Sequence, residues 1–371
     1  MTTITQDDLR ALAAFQGDGH PVTSCYLDVD GSRLTRRRDV ADQLARLLRE
    51  GRAKADGRGS VIEDLRLIEE YVKGGIDRSR TRGLVFFSSS ATHFWQVVEL
   101  PVPVQNQIVV NQSPAIRQLE AILDEYEPFA VLLVDRQRAR LVVFDLGEIV
   151  EVRELFEQLP RGDDVMGRLD RGRVRDHVDE LGHQHLRHAA KVAFDVLRDR
   201  PFGRIIVAAT DDVASEIEPL LHPYLRERLE ARCALPVNAS LDEIRSAALV
   251  VEAAIERRKE RELVDRLREA VGSGNRGVAG LVPTLEALAQ RRVDTLLISD
   301  DFTVAGWRCS SCRMVAAVGR TCVLCEAEMH QVDDVVEEAI EEAQLQSCRV
   351  EICAECADLD VLGGIGALLR Y

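Results

Sequence analysis

No apolar stretch in this 371-residue chain approaches the 18 or more residues that a bilayer-spanning helix requires, which argues against a membrane-spanning class. The opening residues, Met1-Thr-Thr-Ile-Thr-Gln-Asp-Asp8, lack the basic and apolar regions of a secretion signal, so the expected location is cytoplasmic. Positive charge is in deficit: 48 lysines and arginines face 63 aspartates and glutamates, for a net −15 at neutral pH. Phosphate binding is driven by many cationic contacts, so this balance excludes a protein that coats nucleic acid with its whole surface, and any RNA contact must be local. Lysine is nearly absent, with Lys54, Lys73, Lys191 and Lys259 alone, so the cations are arginines, whose planar fork suits phosphate and base recognition. There is no internal repeat, no low-complexity tract and no His-Glu-x-x-His arrangement of the kind zinc hydrolases use.

What is present is ordinary for a globular chain of two to three domains, with 46% hydrophobic and 30% charged residues. Nine cysteines are an odd number, and four of them stand in metal-ligand spacing, which suits a reducing compartment better than a disulfide framework. Cys309-Ser-Ser-Cys312 and Cys322-Val-Leu-Cys325 read as the two knuckles of a zinc ribbon, because each short turn presents two thiolates and a tetrahedral ion takes four. With all four positions thiolate, Zn²⁺ would be structural, leaving no open position for an activated water. The alternatives are a ribbon that has lost its metal or a pair of redox dithiols.

Hydrophobic periodicity divides the rest. Thr5-Gln-Asp-Asp8 caps a first helix. Strands are expected at 22–29, 83–88, 93–98 and 108–110, with helices at 36–50, 60–73 and 115–126, and Pro128 marks a boundary. A three-strand meander over 129–135, 139–144 and 149–155 leads through a glycine- and charge-rich loop, 160–175, to a long helix from about 176 to 198. A buried strand at 203–209 follows, then short helices near 214–221 and 224–229, a strand at 232–236, and a helix from 240 to 271 ended by Gly272-Ser-Gly-Asn-Arg-Gly277.

Several further groups have two readings. Cys353-Ala-Glu-Cys356 with Cys348 is either a second metal or redox site or a set of buried free thiols. His177, His183, His185 and His188 are either an acid–base or metal cluster or the polar face of a helix. Arg33, Arg36, Arg37 and Arg38 form one basic run, and Arg168, Arg171, Arg173 and Arg175 line the 160–175 loop, as phosphate contacts or as solvated surface.

The C-terminal stretch, with Leu285–Leu288, the run from Thr295 to Asp300, the two Cys-x-x-Cys turns and the ending Gly363-Gly-Ile-Gly-Ala-Leu-Leu-Arg-Tyr371, resembles the last domain of archaeal and eukaryotic class I peptide release factors and of Pelota. The element order upstream is similar to the same family nearly throughout. The resemblance implies a mixed α/β protein of three domains, each a mixed sheet packed with helices: 1–127, 128–262 with the loop that reaches the peptidyl-transferase centre, and 263–371 with a zinc ribbon at 303–329. It implies a ribosomal partner (rRNA and the tRNA site) and an elongation-factor-like GTPase. Two family motifs are missing. The 160–175 loop holds no Gly-Gly-Gln; Gly182-His-Gln184 is similar only by letters and falls inside the helical pattern. The stop-codon-reading Asn-Ile-Lys-Ser is absent from the N-terminal part.

The reading is therefore a bacterial member of this family that binds ribosomes and occupies the tRNA site in rescue, stalling control or hibernation, with no catalytic residues. The rivals are an RNA- or tRNA-end hydrolase using Asp163, Asp164, Asp176 and His177, and a protein-interaction scaffold.

Overall fold

The computed structural model describes residues 4–15, 17–34, 36–55, 57–156, 171–200, 202–274, 276–354 and 356–371. The chain packs as two compact units, 1–124 together with 259–371, and 125–258. It is a mixed α/β protein with four sheets.

In the first unit, the N-terminal part runs α1 (Gln6–Ala14), β1 (Val22–Asp28), α2 (Arg37–Lys54), α3 (Gly59–Lys73), β2 (Gly83–Ser89), β3 (Phe94–Leu100), β4 (Gln107–Asn111) and α4 (Arg117–Glu125). Thr5 and Asp8 exchange hydrogen bonds across the first turn of α1, a reciprocal cap. The four strands form an antiparallel sheet in the order β3-β2-β1-β4. Its two central strands are buried at every position, polar residues included: Thr23 and Ser88 hydroxyls donate to the buried Asp64 carboxylate at 3.0 and 2.8 Å. Leu27, Phe86 and Ile108 from the sheet pack with Leu47, Leu65 and Ile68 of α2 and α3, each fully buried aliphatic or aromatic side chain contributing about 1.5–3 kcal/mol.

The second unit holds β5 (Phe129–Val134), β6 (Arg138–Asp145), β7 (Glu148–Phe156), α5 (Arg171–Leu197), β8 (Arg204–Ala208), α6 (Asp211–Ile217), α7 (Pro223–Arg226), β9 (Leu229–Cys233) and the first part of α8 (Leu241–Gly272). The sheet order is β7-β6-β5-β8-β9, antiparallel through the meander and parallel from β5 to β9. Leu146 and Gly147, with φ of 46° and 72°, make the two-residue turn between β6 and β7 that matches strand twist. Alternate residues of β5 feed two cores: Ala130, Leu132 and Val134 pack with α5, and Phe129, Val131 and Leu133 with α8. Arg204 is buried among Glu127, Glu252 and Glu256 at 2.5–3.1 Å.

Two sequence expectations do not hold. The long helix starts at Arg171, not near 176, because arginines are good helix formers and a lone Gly172 costs only about 1 kcal/mol. The last strand lies at 229–233 rather than 232–236: its register is set by pairing beside β8, and Pro236, with no N–H to donate, stays outside the ladder.

The C-terminal part of the first unit comprises β10 (Gly277–Ala279), α9 (Leu281–Ala289), β11 (Val293–Ser299), β12 (Gly306–Cys309), β13 (Val315–Ala316), β14 (Met329–Val332), α10 (Val335–Leu345), β15 (Arg349–Cys353), α11 (Ala357–Val361) and β16 (Ile365–Leu369). One sheet runs β10-β16-β11-β15, and a separate three-stranded ribbon runs β13-β12-β14. The glycine-rich ending has a steric cause. Gly364 has φ +72° and a Cβ there would lie 2.4 Å from the Phe302 ring, while a Cβ on Gly366 would lie 2.6 Å from Leu267.

α10 joins the two parts of this unit. The Glu337 carboxylate accepts from the Ile116 and Arg117 N–H groups, capping the start of α4. Arg117 donates in turn to the carbonyls of Ser299, Asp300 and Phe302 at 2.6–2.8 Å. Arg308, buried, pairs with Glu338 and Glu341 and touches Ser113 Oγ; Gln344 donates to Glu120 at 2.7 Å. Among the described residues no helix is long and apolar enough to cross a membrane.

Candidate metal centre and basic segments

β12 delivers Cys309 at its end, and the turn after it returns Cys312; a second turn holds Cys322 and Cys325. The two turns repeat one geometry. In each, the N–H four residues on, Arg313 or Glu326, donates to the carbonyl of the leading cysteine at 3.0 or 2.9 Å. That same residue takes a left-handed φ, 63° or 58°, and a backbone N–H (Cys312 or Leu324) points at the leading thiol at 3.5 or 3.4 Å. Backbone donors aimed at sulfur favour thiolate.

The four sulfurs lie within 4.8 Å of one another, with Cys309–Cys325 and Cys312–Cys322 at 3.4 Å and Cys312–Cys325 at 3.5 Å. That is too far for a disulfide. A tetrahedral Zn²⁺ with Zn–S bonds of about 2.3 Å sets its sulfurs about 3.8 Å apart, so the residues fit the ion after a few tenths of an ångström of spreading. Burial raises the Cys309 thiol, but the N–H groups of Cys312 and Ser311 outweigh it and bring it down to about 7. The same balance lowers Cys322, whereas burial and the neighbouring thiols push Cys312 up to about 12. The neighbouring thiols that raise Cys312 are the crowding that a cation at their centre would relieve.

The other sequence candidates are scattered. Arg33 and Arg36 are exposed beside β1 and α2, Arg38 is exposed with Asp42 at 3.9 Å, and Arg37 opens α2. Arg168, Asp163 and Asp164 lie outside the described residues. Arg171, Arg173, Arg175, Asp176 and His177 belong to the first two turns of α5 rather than to a loop. Gly182-His-Gln184 is in the interior of that 27-residue helix. His183 is half-buried, His185 buried and His188 exposed, and among the described residues none of them joins a metal-ligand group. Cys348 donates to the Val293 carbonyl at 3.2 Å, and burial raises the thiols of Cys348 and Cys353; with Cys356 they assemble no ligand set among the described residues. The acidic face of α10 and the buried Arg204 cluster escaped sequence reading. A Glu337-Glu338…Glu341-Glu342 pattern looks like a solvated helix face until its partners are known.

Residues 114–259 match the family described as bacterial archaeo-eukaryotic release factor family 10, and residues 257–371 match release factor (eRF1) domain 3. By these two matches the chain belongs with the bacterial archaeo-eukaryotic release factors. The Bacillus subtilis (strain 168) protein YocB is 18% identical over 177 residues, 46% of this chain and 68% of that protein. Among solved structures, a ribosome-bound archaeal Pelota is 13% identical over 100% of this chain and 95% of its own, with a TM-score of 0.43. S. cerevisiae Dom34 is 10% identical over 78% and 80%, with a TM-score of 0.42. Membership rests on the two family matches, not on these distant likenesses.

Proposed function

We infer that this family member is a cytoplasmic ribosome-binding factor that occupies the tRNA site without hydrolysing peptidyl-tRNA, in rescue, stalling control or hibernation. The functional domains are 1–127, 128–262 and 263–371. The observation that carries the reading is the position of Gly182-His-Gln184 in mid-helix, in a chain whose middle part matches a release-factor family. Release needs a glutamine on a glycine turn to align water on the ester. A helix interior offers no such turn, and misalignment forfeits an orientation gain of up to roughly 7–11 kcal/mol. Four thiols at ribbon spacing support structural Zn²⁺ at Cys309, Cys312, Cys322 and Cys325. Ribosomal RNA would be met by Arg33, Arg36, Arg37 and Arg38 and by Arg168, Arg171, Arg173 and Arg175. An elongation-factor-like GTPase is the delivery partner that family membership suggests.

The test is sedimentation with ribosomes alongside hydrolysis of labelled peptidyl-tRNA at one protein concentration. Binding with background hydrolysis is expected, weakening as salt rises, and with a flatter salt slope once Arg168, Arg171, Arg173 and Arg175 are changed to Ala. Hydrolysis that Asp163→Ala or His177→Ala abolishes would replace this reading with the RNA-end hydrolase. Neither binding nor hydrolysis would leave a scaffold.

A further inference from the structure

One end of the C-terminal sheet gathers arginines that the sequence scatters over a hundred residues. Arg276 precedes β10, Arg370 follows β16 and Arg292 precedes β11. In the order β10-β16-β11 these are three adjacent strands, so topology sets one arginine per strand at steps of about 4.8 Å. Arg266 of α8, Arg276 and Arg370 line an open cleft of about 750 Å³ at this end, and Arg291 adjoins Arg292.

Three observations separate this patch from an ordinary solvated face. Many arginines elsewhere in this acidic chain sit in ion pairs, as at Arg66, Arg136, Arg204, Arg232, Arg245 and Arg308, though among the described residues single ones such as Arg33, Arg46 and Arg187 do not. Among the described residues, none of these five pairs with a carboxylate side chain, although Glu269 and Asp294 line the same cleft and Glu342 holds the nearby Gln346 amide. Second, one of the five is oriented without being neutralised: Arg370 donates to the Gln346 carbonyl at 3.1 Å.

Third, two stand where glycine would be cheaper. The N–H groups of Arg291 and Arg292 close the end of α9 on the carbonyls of Leu288 and Ala287, a helix termination whose left-handed position usually holds glycine. Here it is Arg291, at φ +56°; Arg276 has φ +57°. An L side chain is strained in that region, and a guanidinium is what these positions gain.

We propose that this arginine end of the C-terminal sheet is a docking surface for the phosphate backbone of RNA. The cleft sets three guanidinium groups against the carboxylates of Glu269 and Asp294, and its leucines, Leu368 and Leu369, are buried in the sheet, so it presents no aromatic or exposed aliphatic anchor of the kind protein interfaces depend on, whereas phosphate contact needs cations. The proposal extends the ribosome-binding reading by naming a second contact, remote in sequence from the two basic runs, and it makes no use of those runs.

The test compares the full chain with Arg276→Gly/Arg291→Gly, which removes two cations while relieving two strained backbones, so the thermal midpoint is expected to hold. Arg370→Ala is the second variant. Anisotropy with a labelled 20-nucleotide oligouridylate should show a three- to tenfold loss of affinity for the double variant. The slope of log affinity against log salt should fall by about 0.7 for each phosphate that is no longer neutralised. An unchanged slope with retained ribosome sedimentation overturns the proposal and spares the ribosome reading. Wild-type protein that ignores ribosomes but binds oligouridylate through these arginines sinks that reading and supports the patch. Polyglutamate binding more tightly than the RNA at matched salt overturns it in favour of an acidic protein.

Discussion

The ribbon and the seat of α10 lie in the same C-terminal part and are held by opposite means. The ribbon has three short strands and a fully buried core of little more than Cys309, Cys322 and Met329. It is too small to stand on apolar burial, so its order depends on what gathers four sulfurs. The α10 seat is large and carries charge inward: Glu337, Glu338, Glu341 and Gln344 all find partners, most of them in the N-terminal part of the unit. One region depends on thiols losing protons; in the other, burial makes the Glu120 and Glu337 carboxyls hold theirs more tightly while Glu338 and Glu341 pair with Arg308. Metal and redox state should therefore act on the first, and acid and single-charge substitutions on the second.

The largest effect belongs to the ribbon. Purified, reduced protein is expected to carry about one zinc per chain, and Cys309→Ser to lose it, with 303–329 becoming protease-sensitive while the main melting transition persists. Structural zinc sites bind with apparent free energies of about 10–16 kcal/mol, so the local loss should be complete. Metal analysis finding no zinc in fresh protein would mean the thiols serve another purpose.

Next in size is Arg308→Ala, which leaves the buried Glu338 carboxylate without a cation, holding only the Asn111 amide, while Glu341 keeps Arg313; it should cost roughly 3–5 kcal/mol by chemical denaturation. Zinc content should stay at the wild-type level. A variant that loses both zinc and global stability would show that ribbon and seat are one cooperative structure, and the contrast between them would fail.

The two regions also differ in how well the sequence announced them. Two Cys-x-x-Cys turns are a local signal, because the spacing that identifies them is the spacing that builds them. The paired strands at 22–28 and 83–89, and the long helix from 241, were equally readable from periodicity. The α10 seat is a non-local object. Glu337 acquires its role from N–H groups 220 residues away, and helix periodicity cannot tell a solvated acidic face from one that caps another helix. The same holds for Arg204, whose partners come from a preceding loop and from α8, and for the arginine end of the C-terminal sheet, which exists only once strand order is known. Gly364 was visible as part of a motif, but its reason, the Phe302 ring, was not.

The smallest expected effect is the sharpest test of the contrast, because it asks for opposite signs. Burial pushes the Glu337 carboxyl up to about 7, with Asp334 adding to the rise and the N–H groups of Arg117 and Ile116 and the Arg117 charge opposing it. Burial and Asp124 raise Glu120 to about 7 as well, against Gln6, Gln344 and Arg10. Unfolded glutamates titrate near 4.5, so between about 4.5 and 7 the folded form binds more protons than the unfolded one. Their contribution is fully present below about pH 4.5 and is lost as pH rises through about 7. Thiolate ligands run the other way, since acid returns protons to sulfur and releases the ion. Across pH 5.5 to 8 the melting midpoint of the first unit should fall by a few degrees while zinc retention improves. Glu337→Gln keeps an oxygen for the two N–H donors and cannot ionise. It should flatten the fall, raise the midpoint at pH 8 relative to wild type, and leave the zinc curve where it was. A midpoint that rises with pH in wild type and is unmoved by Glu337→Gln would place the controlling titration outside α10.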